Sequence, residues 1–240
     1  MSVFDEMGKY WTEIADQNQT DRQVHFIKNT LKPKGLVLDL ACGTGRHLIP
    51  LGKQGYSMVG LDVSAKLLLI AKSRWRDSQV VCADMRFLPF RSGAFTAAVS
   101  MDTSFGYLPT GQDDLESLKQ LRASMVNGAI LIVDVFNREY LIKRSKANSQ
   151  SKWRDYPSFF LLQKRTIDAH GEKLHDQWTV RDKADWQLRV FEHVARLYTW
   201  GCLQGLIEKA GFSVKAVYGD YEGQTFSVES HRLILVANIK

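Results

Sequence analysis

The sequence predicts a doubly wound α/β fold that carries a small antiparallel β insertion. Three observations lead there. Between Leu36 and Val135, short apolar runs alternate with helical stretches. Runs apolar on both faces, each separated by a helix, are what parallel strands buried under helices require. After Phe136 the rhythm changes to longer runs of partly alternating polarity. The length, 240 residues, suits one large domain or one domain with an insertion. A single core of that size can bury roughly 70% of the unfolded surface without staples.

Taken in order, Leu36–Leu40 is a compact strand that ends in the turn Ala41-Cys42-Gly43-Thr44-Gly45, and a helix follows to about Gln54. Ser57–Leu61 is a second strand, stopped at Asp62 and followed by a helix from Ala65 to Ser73. Val80–Ala83 is a third, stopped at Asp84, and Thr96–Ser100 a fourth. An amphipathic helix over Asp113–Met125 leads to a fifth strand at Ala129–Val133. Right-handed crossovers between such strands give a doubly wound sheet, which binds ligands outside the carboxyl ends of its strands. The glycine pair, Asp62 and Asp84 all fall at those ends. Phe159–Asp168, Lys173–Arg181 and Gln187–Tyr198 read as antiparallel strands, with a turn at His170-Gly171-Glu172. A helix from about Gly201 to Lys209 and two strands, Val214–Tyr218 and Leu233–Ala237, close the chain. These last two are expected to form the antiparallel edge of the main sheet. The expected division is therefore 1–137 with 199–240 as the sheet domain, and 138–198 as the insertion.

Gly43 and Gly45 let a ligand approach the backbone, and the helix that follows offers free N–H groups. A dinucleotide fingerprint would want a third glycine where Leu48 stands, and a phosphate loop would want Lys-Ser/Thr where Arg46-His47 stands. Neither fits. The run Leu38-Asp39-Leu40-Ala41-Cys42-Gly43-Thr44-Gly45-Arg46-His47 resembles instead the first motif of the class I S-adenosylmethionine (SAM)-dependent methyltransferases. Later landmarks agree in order: Asp62 lies 17 residues beyond Gly45, Asp84-Met85 ends the third strand, and Ser100-Met101-Asp102 ends the fourth.

The resemblance covers about 35–137 plus the closing helix and strands. It implies a seven-stranded Rossmann-like sheet, SAM as cofactor and methyl transfer as the activity. It also implies roles. Asp39, Ala41, Cys42, Gly43, Gly45, Arg46 and His47 belong to the cofactor site, with the region of Asp39 and Ala41 toward the ammonium. Arg46 reads either as a partner of the carboxylate or as solvated on the first turn, and His47 either as lining the pocket or as exposed on the helix. Asp62, with Val63, receives the ribose hydroxyls; Asp84-Met85 meets the adenine edge; Met101 lies beneath the sulfonium. In several small-molecule members a leading Tyr closes over the cofactor, which points to Tyr10, with Trp11 beside it. Tyr107, in Phe105-Gly106-Tyr107, is the second aromatic candidate, and His193 is a candidate base if its strand faces the cofactor. Each Asp also has an ordinary reading as a cap or turn former, and Cys42 and Cys82 read as small packing residues.

Methyl transfer from a sulfonium is an in-line displacement on an activated donor, so positioning supplies much of the acceleration and a base is needed only if the acceptor must lose a proton. Met101-Asp102-Thr103-Ser104-Phe105 lacks the Pro-Pro pair common in amino-methyltransferases of nucleic acids and protein glutamine. Its layout resembles small-molecule N-methyltransferases, so a small amine acceptor is expected, covered by the insertion. In Lys173–Arg181, Leu174, Trp178 and Val180 alternate with polar residues, so one face should pack and the other meet solvent.

Composition bounds the rest. With 45% hydrophobic and 24% charged residues, disorder is excluded. Three cysteines without a C-x-x-C pair argue against a disulfide framework or thiolate zinc site, and no metal is expected. No run approaches the roughly 18 apolar residues of a membrane span. The acidic start, Met1–Glu6, lacks the order of a signal peptide, so a cytoplasmic location without membrane contact is expected. Monomer and dimer stay equally open. The net charge is +6, and nearly all of it sits in 138–154, where six basic residues face the single acid Glu139. That segment reads either as a solvated linker or as a site favouring an anionic acceptor. RNA methylation and a catalytically silent SAM-binding module are the competing readings; RNA would need a contiguous basic surface.

Overall fold

A computed structural model describes residues 3–14, 17–31, 35–147 and 150–239. Two sheets organise it. The strands of the first are β1 (Leu36–Leu40), β2 (Ser57–Asp62), β3 (Gln79–Cys82), β4 (Phe95–Ser100), β5 (Met125–Phe136), β10 (Phe212–Tyr218) and β11 (Arg232–Ile239). Their spatial order is β10-β11-β5-β4-β1-β2-β3. The five early strands pair in parallel, and β11 runs antiparallel to both β5 and β10. This is the expected doubly wound sheet with its antiparallel edge. The connections from β1 and β4 leave in opposite directions, which opens a crevice outside the carboxyl ends of these two strands.

The helices fill both faces. One core, with Leu38, Leu40, Phe95, Leu131 and Leu235, lies under α5 (Gly111–Ser124) and α7 (Trp200–Lys209). The other, with Val37, Leu48, Leu51, Val99 and Ile132, lies under α2 (Gln17–Thr30) and α3 (Leu48–Lys53). The remaining helices are α1 (Val3–Ile14) and α4 (Ala65–Arg74). Ser64 caps α4, its Oγ accepting from Leu67 N at 3.2 Å, and Thr110 forms a reciprocal capping box with Asp113 at the start of α5.

The second sheet is antiparallel, in the order β6 (Gln150–Asp155), β7 (Phe159–Ile167), β8 (Lys173–Asp182), β9 (Leu188–Arg196). Three of these strands match the expected ones. The fourth, β6, and the preceding helix α6 (Arg138–Ala147) occupy the basic stretch, which is therefore regular structure rather than a linker, with Lys143, Arg144, Lys152 and Arg154 exposed. Alternation in β8 is as expected, with Leu174, Trp178 and Val180 buried; Asp176 and Asp182 share their face. This face packs on α1 through Met7, Tyr10, Phe159, Leu161 and Trp178. Cys82 is exposed at the sheet edge, so only Cys42 is a packing cysteine. Among the described residues, no helix is long and apolar enough to cross a membrane.

Candidate active site

A cavity of about 220 Å³ opens at the carboxyl ends of β1 and β4. Its lining draws on six parts of the chain: Ala41 and Gly43 after β1, Asp62 and Val63 at the end of β2, Leu67 of α4, Asp84 and Met85 after β3, Asp102–Ser104 and Tyr107 after β4, and Phe4 and Trp11 from α1. Three non-glycine residues have left-handed backbone here: Ala41 (φ 60°), Asp102 (φ 55°) and Thr103 (φ 62°). Each costs of order 1–3 kcal/mol, and such strain collects where a site requires a particular backbone course.

The chain holds these turns from below. Asp134, interrupting the apolar run of β5, accepts from Asp102 N at 2.8 Å, and its carbonyl accepts from Thr103 N at 2.9 Å. Arg232 Nε donates to Asp134 at 2.7 Å, its Nη2 reaches Thr103 Oγ1 at 3.0 Å, and Tyr221 donates to Asp134 at 2.7 Å. Tyr221 accepts in turn from Gln23, whose Oε1 lies 2.8 Å from His47 Nε2. The pattern signal for this network was available: a carboxylate inside an apolar strand needs a partner. Its partner stands 98 residues away, beyond any local pattern.

The expected site residues divide into those that face the cavity and those that build its walls. Asp62 faces it and is pinned, Oδ2 accepting from Gly43 N at 2.8 Å and Oδ1 from Ser64 N at 2.8 Å. Burial pushes its carboxyl up, and each oxygen keeps further acceptor capacity. Asp84 also faces it, but Arg86 forks onto both its oxygens and holds the carboxyl below the usual range. Asp39 is fully enclosed; its Oδ2 accepts from Leu48 N at 3.0 Å, and burial raises its pKa to about 7. Cys42 and Gly45 pack behind the turn, against Gly60 and against Ile49 and Ala71 respectively. Arg46 donates to Thr20 Oγ1 at 2.9 Å and to Asp102 at 2.7 Å. Burial pushes the Asp102 carboxyl up, yet Arg46 and Arg232 outweigh it and keep the group ionised. His47 is buried and neutral, its pKa lowered by burial to about 3. Met101 lies in the core, and the cavity wall begins one residue later at Asp102.

The aromatic assignment shifts by one residue. Tyr10 is turned away from the cavity: it is 1% exposed, donates to Asp182 at 2.8 Å and meets the Phe159 ring edge-on at 4.9 Å. On a helix, adjacent residues point about 100° apart, so its neighbour Trp11 takes the cavity wall, stacked on Trp178 at 5.6 Å. Phe4 packs edge-on against both Trp11 and Tyr107; no sequence argument had picked it out. His193 comes in beside them, 5.8 Å from Tyr107, 5.9 Å from Phe4 and 5.6 Å from Trp178 between ring centroids. Its Nδ1 is buried without a partner, its Nε2 lies 3.8 Å from Asp176, and burial lowers its pKa. Burial pushes the Tyr107 phenol up, so it stays a neutral hydroxyl.

The acceptor set suits a nucleoside with vicinal hydroxyls and an amino-bearing base: carboxylates at Asp62 and Asp84 with apolar walls between them. Gly43 (φ 54°) keeps the floor open, since an added Cβ would sit between Leu67, Asp62 Oδ2 and Trp11 Nε1. Residues 37–128 match a family described as a methyltransferase domain. The match and the fold are consistent with the resemblance to the class I SAM-dependent methyltransferases. SAM is accordingly its cofactor and methyl transfer its reaction class. Among relatives, the Bacillus subtilis (strain 168) protein YqeM, which carries a provisional methyltransferase name, is 26% identical over 98% of this chain and 96% of its own length. A glycine/sarcosine N-methyltransferase of Parasynechococcus marenigrum (strain WH8102) is 27% identical over 88% of this chain and 76% of its own. A SAM-dependent methyltransferase of Clostridium acetobutylicum ATCC 824 has the same fold, with a TM-score of 0.80 at 16% identity over 99% of this chain and 96% of that one.

Proposed function

We propose that this methyltransferase acts on an amine nitrogen of a small-molecule acceptor, with 138–198 serving as the acceptor-side cover. The observation that carries the reading is the junction of the cofactor crevice with the insertion. Trp11 and Tyr107 line the crevice, and Trp178 and His193 of the insertion pack directly on them. The glycine/sarcosine relative supports an amine as acceptor.

SAM supplies a methyl group already activated on a sulfonium. The chain's part is to bind, orient and keep water out. Asp62 and Asp84 offer carboxylate oxygens to hydroxyl and amine donors, and the backbone at Ala41 and Gly43 sets the floor. Phe4, Trp11 and Tyr107 form an aromatic wall, which favours a cationic centre by cation–π attraction of about 0.5–2 kcal/mol. An amine must present its lone pair, so a protonated amine must first lose a proton. His193, kept neutral by burial, is the group placed to receive it, and Tyr107 is placed to orient the nitrogen.

The test is incubation with methyl-labelled SAM and a cell extract, split into small-molecule, protein and nucleic-acid fractions. Label in the small-molecule fraction, on nitrogen, is expected. Label confined to RNA would overturn the acceptor class. SAM binding without transfer to any fraction would favour the silent module.

A further inference from the structure

A second and larger cavity, of about 1100 Å³, lies between the insertion and the loop that precedes β11. From this cavity we infer that the acceptor carries an anionic group, phosphate or carboxylate, anchored by Arg144 and Lys152 at the rim over a floor made by Arg165 and Arg232. The inference rests on the methyltransferase reading of the first cavity.

Charge selects the ligand. Two of the three acids on this rim face cations: Glu222 lies 3.7 Å from Arg22, and Glu229 holds Lys143 at 2.7 Å, while Asp220 accepts only from the backbone N–H groups of Glu222 and Gln224. Arg165 and Arg232 have carboxylate partners of their own, Asp176 and Asp134, and both guanidinium groups lie over the Phe136 ring, at 5.3 and 5.0 Å. Arg144 donates only to the Tyr140 hydroxyl, at 2.6 Å, and Lys152 makes no described bond. Among the described residues, these two cations at one rim have no carboxylate partner. An anion supplies one, and Arg readily offers two parallel N–H donors to phosphate or carboxylate.

The floor also gives direction. Arg232 reaches Thr103, which lines the cofactor cavity. Arg165 reaches Asp176, which accepts from Trp178 Nε1 at 2.8 Å, and Trp178 stacks on Trp11 of the cofactor cavity. One layer of side chains therefore separates the two cavities, and an acceptor held by its anionic end at the rim reaches the methyl donor where that layer opens. The volume slightly exceeds the roughly 300–1,000 Å³ of small-molecule sites, which suits an acceptor considerably larger than a free amino acid. This gives the basic stretch 138–154 a use: α6 and β6 bring Arg144 and Lys152 to one opening.

The experiment is calorimetric titration of inorganic pyrophosphate, citrate and S-adenosylhomocysteine into the full chain and into the double variant Arg144→Ala/Lys152→Ala, at low salt. Pyrophosphate or citrate should bind the native chain, and the tighter of the two identifies the anion as phosphate or carboxylate. The double variant should bind that anion at least tenfold more weakly, while its S-adenosylhomocysteine affinity stays within twofold. Failure of both anions to bind the native chain, or equal binding by the variant, would overturn the inference. If S-adenosylhomocysteine did not bind the native chain, the cofactor reading would fall separately, with the anion arm still readable.

Discussion

Replacing Gly106 by alanine should destabilise the protein where the crevice loop meets the insertion. Gly106 has φ 103°, and a Cβ there would stand 2.8 Å from the carbonyl oxygen of Arg196, at the end of β9. That oxygen is backbone, fixed because Arg196 N donates to Gly106 O at 2.8 Å and its side chain is tied to buried Asp114. The left-handed backbone costs an L-residue about 1–2 kcal/mol, the overlap about 1–3 kcal/mol, and a weakened hydrogen bond about 1 kcal/mol. The sum is about 3–6 kcal/mol. For a chain of this size, each kcal/mol lowers Tm by about 2–4 °C, so a drop of about 6–24 °C is expected. Gly111→Ala is the control: it opens α5, and its added Cβ meets nothing within 4 Å. Thermal melts of both variants decide. A Gly106→Ala protein melting within a degree or two of the Gly111→Ala protein would refute the claim that this contact fixes the insertion to the crevice.

Three further outcomes follow from the site. Asp39 ionises near 3.8 in the unfolded chain and only near 7 when folded, so stability present below pH 4 is lost as pH rises toward 7, by roughly 4 kcal/mol. Asp39→Asn, which retains an acceptor for Leu48 N, should flatten denaturation midpoints between pH 4 and 7; an unchanged slope would count against this. Asp134→Ala strips the buried Arg232 of its counter-charge and should cost about 3–5 kcal/mol in urea unfolding; a loss under 1 kcal/mol would mean the network holds nothing. Trp11→Ala should weaken S-adenosylhomocysteine at least tenfold by calorimetry, whereas Tyr10→Phe should leave it within twofold, and the reverse pattern would restore Tyr10 to the cavity.

The main sheet was readable because its strands are apolar on both faces and its turns carry glycine or aspartate. The elements that escaped lack that contrast. The buried stripe of α2 includes Thr20 and Gln23 beside Val24 and Ile27, and the two polar members are buried because Arg46 and His47 bond them. β6 is an edge strand of sequence Gln-Ser-Lys-Trp-Arg-Asp, whose one apolar residue, Trp153, is exposed and stacks on Phe160. Charge on such an edge protects it from further pairing and resembles a linker. In the site, Asp62 and Asp84 were legible from spacing after their strands. Tyr10 and Trp11 were not separable, because a helix phase is fixed only by what it packs against. The ion pairs of Asp176 and Asp102 were hidden for a related reason: their cationic partners, Arg165 and Arg46, come from other elements.

The central claim is that the crevice at the ends of β1 and β4 holds the cofactor, and Gly43→Ala tests it most directly. The methyl group would enter the cavity at ordinary contact distance from Leu67, Asp62 and Trp11, and the left-handed backbone adds a strain of about 1–2 kcal/mol that the fold can absorb. Titration of S-adenosylhomocysteine by calorimetry should show binding to the native chain and an affinity at least tenfold weaker in the folded variant. Equal affinity in the two proteins, or no binding by the native chain, would contradict the account.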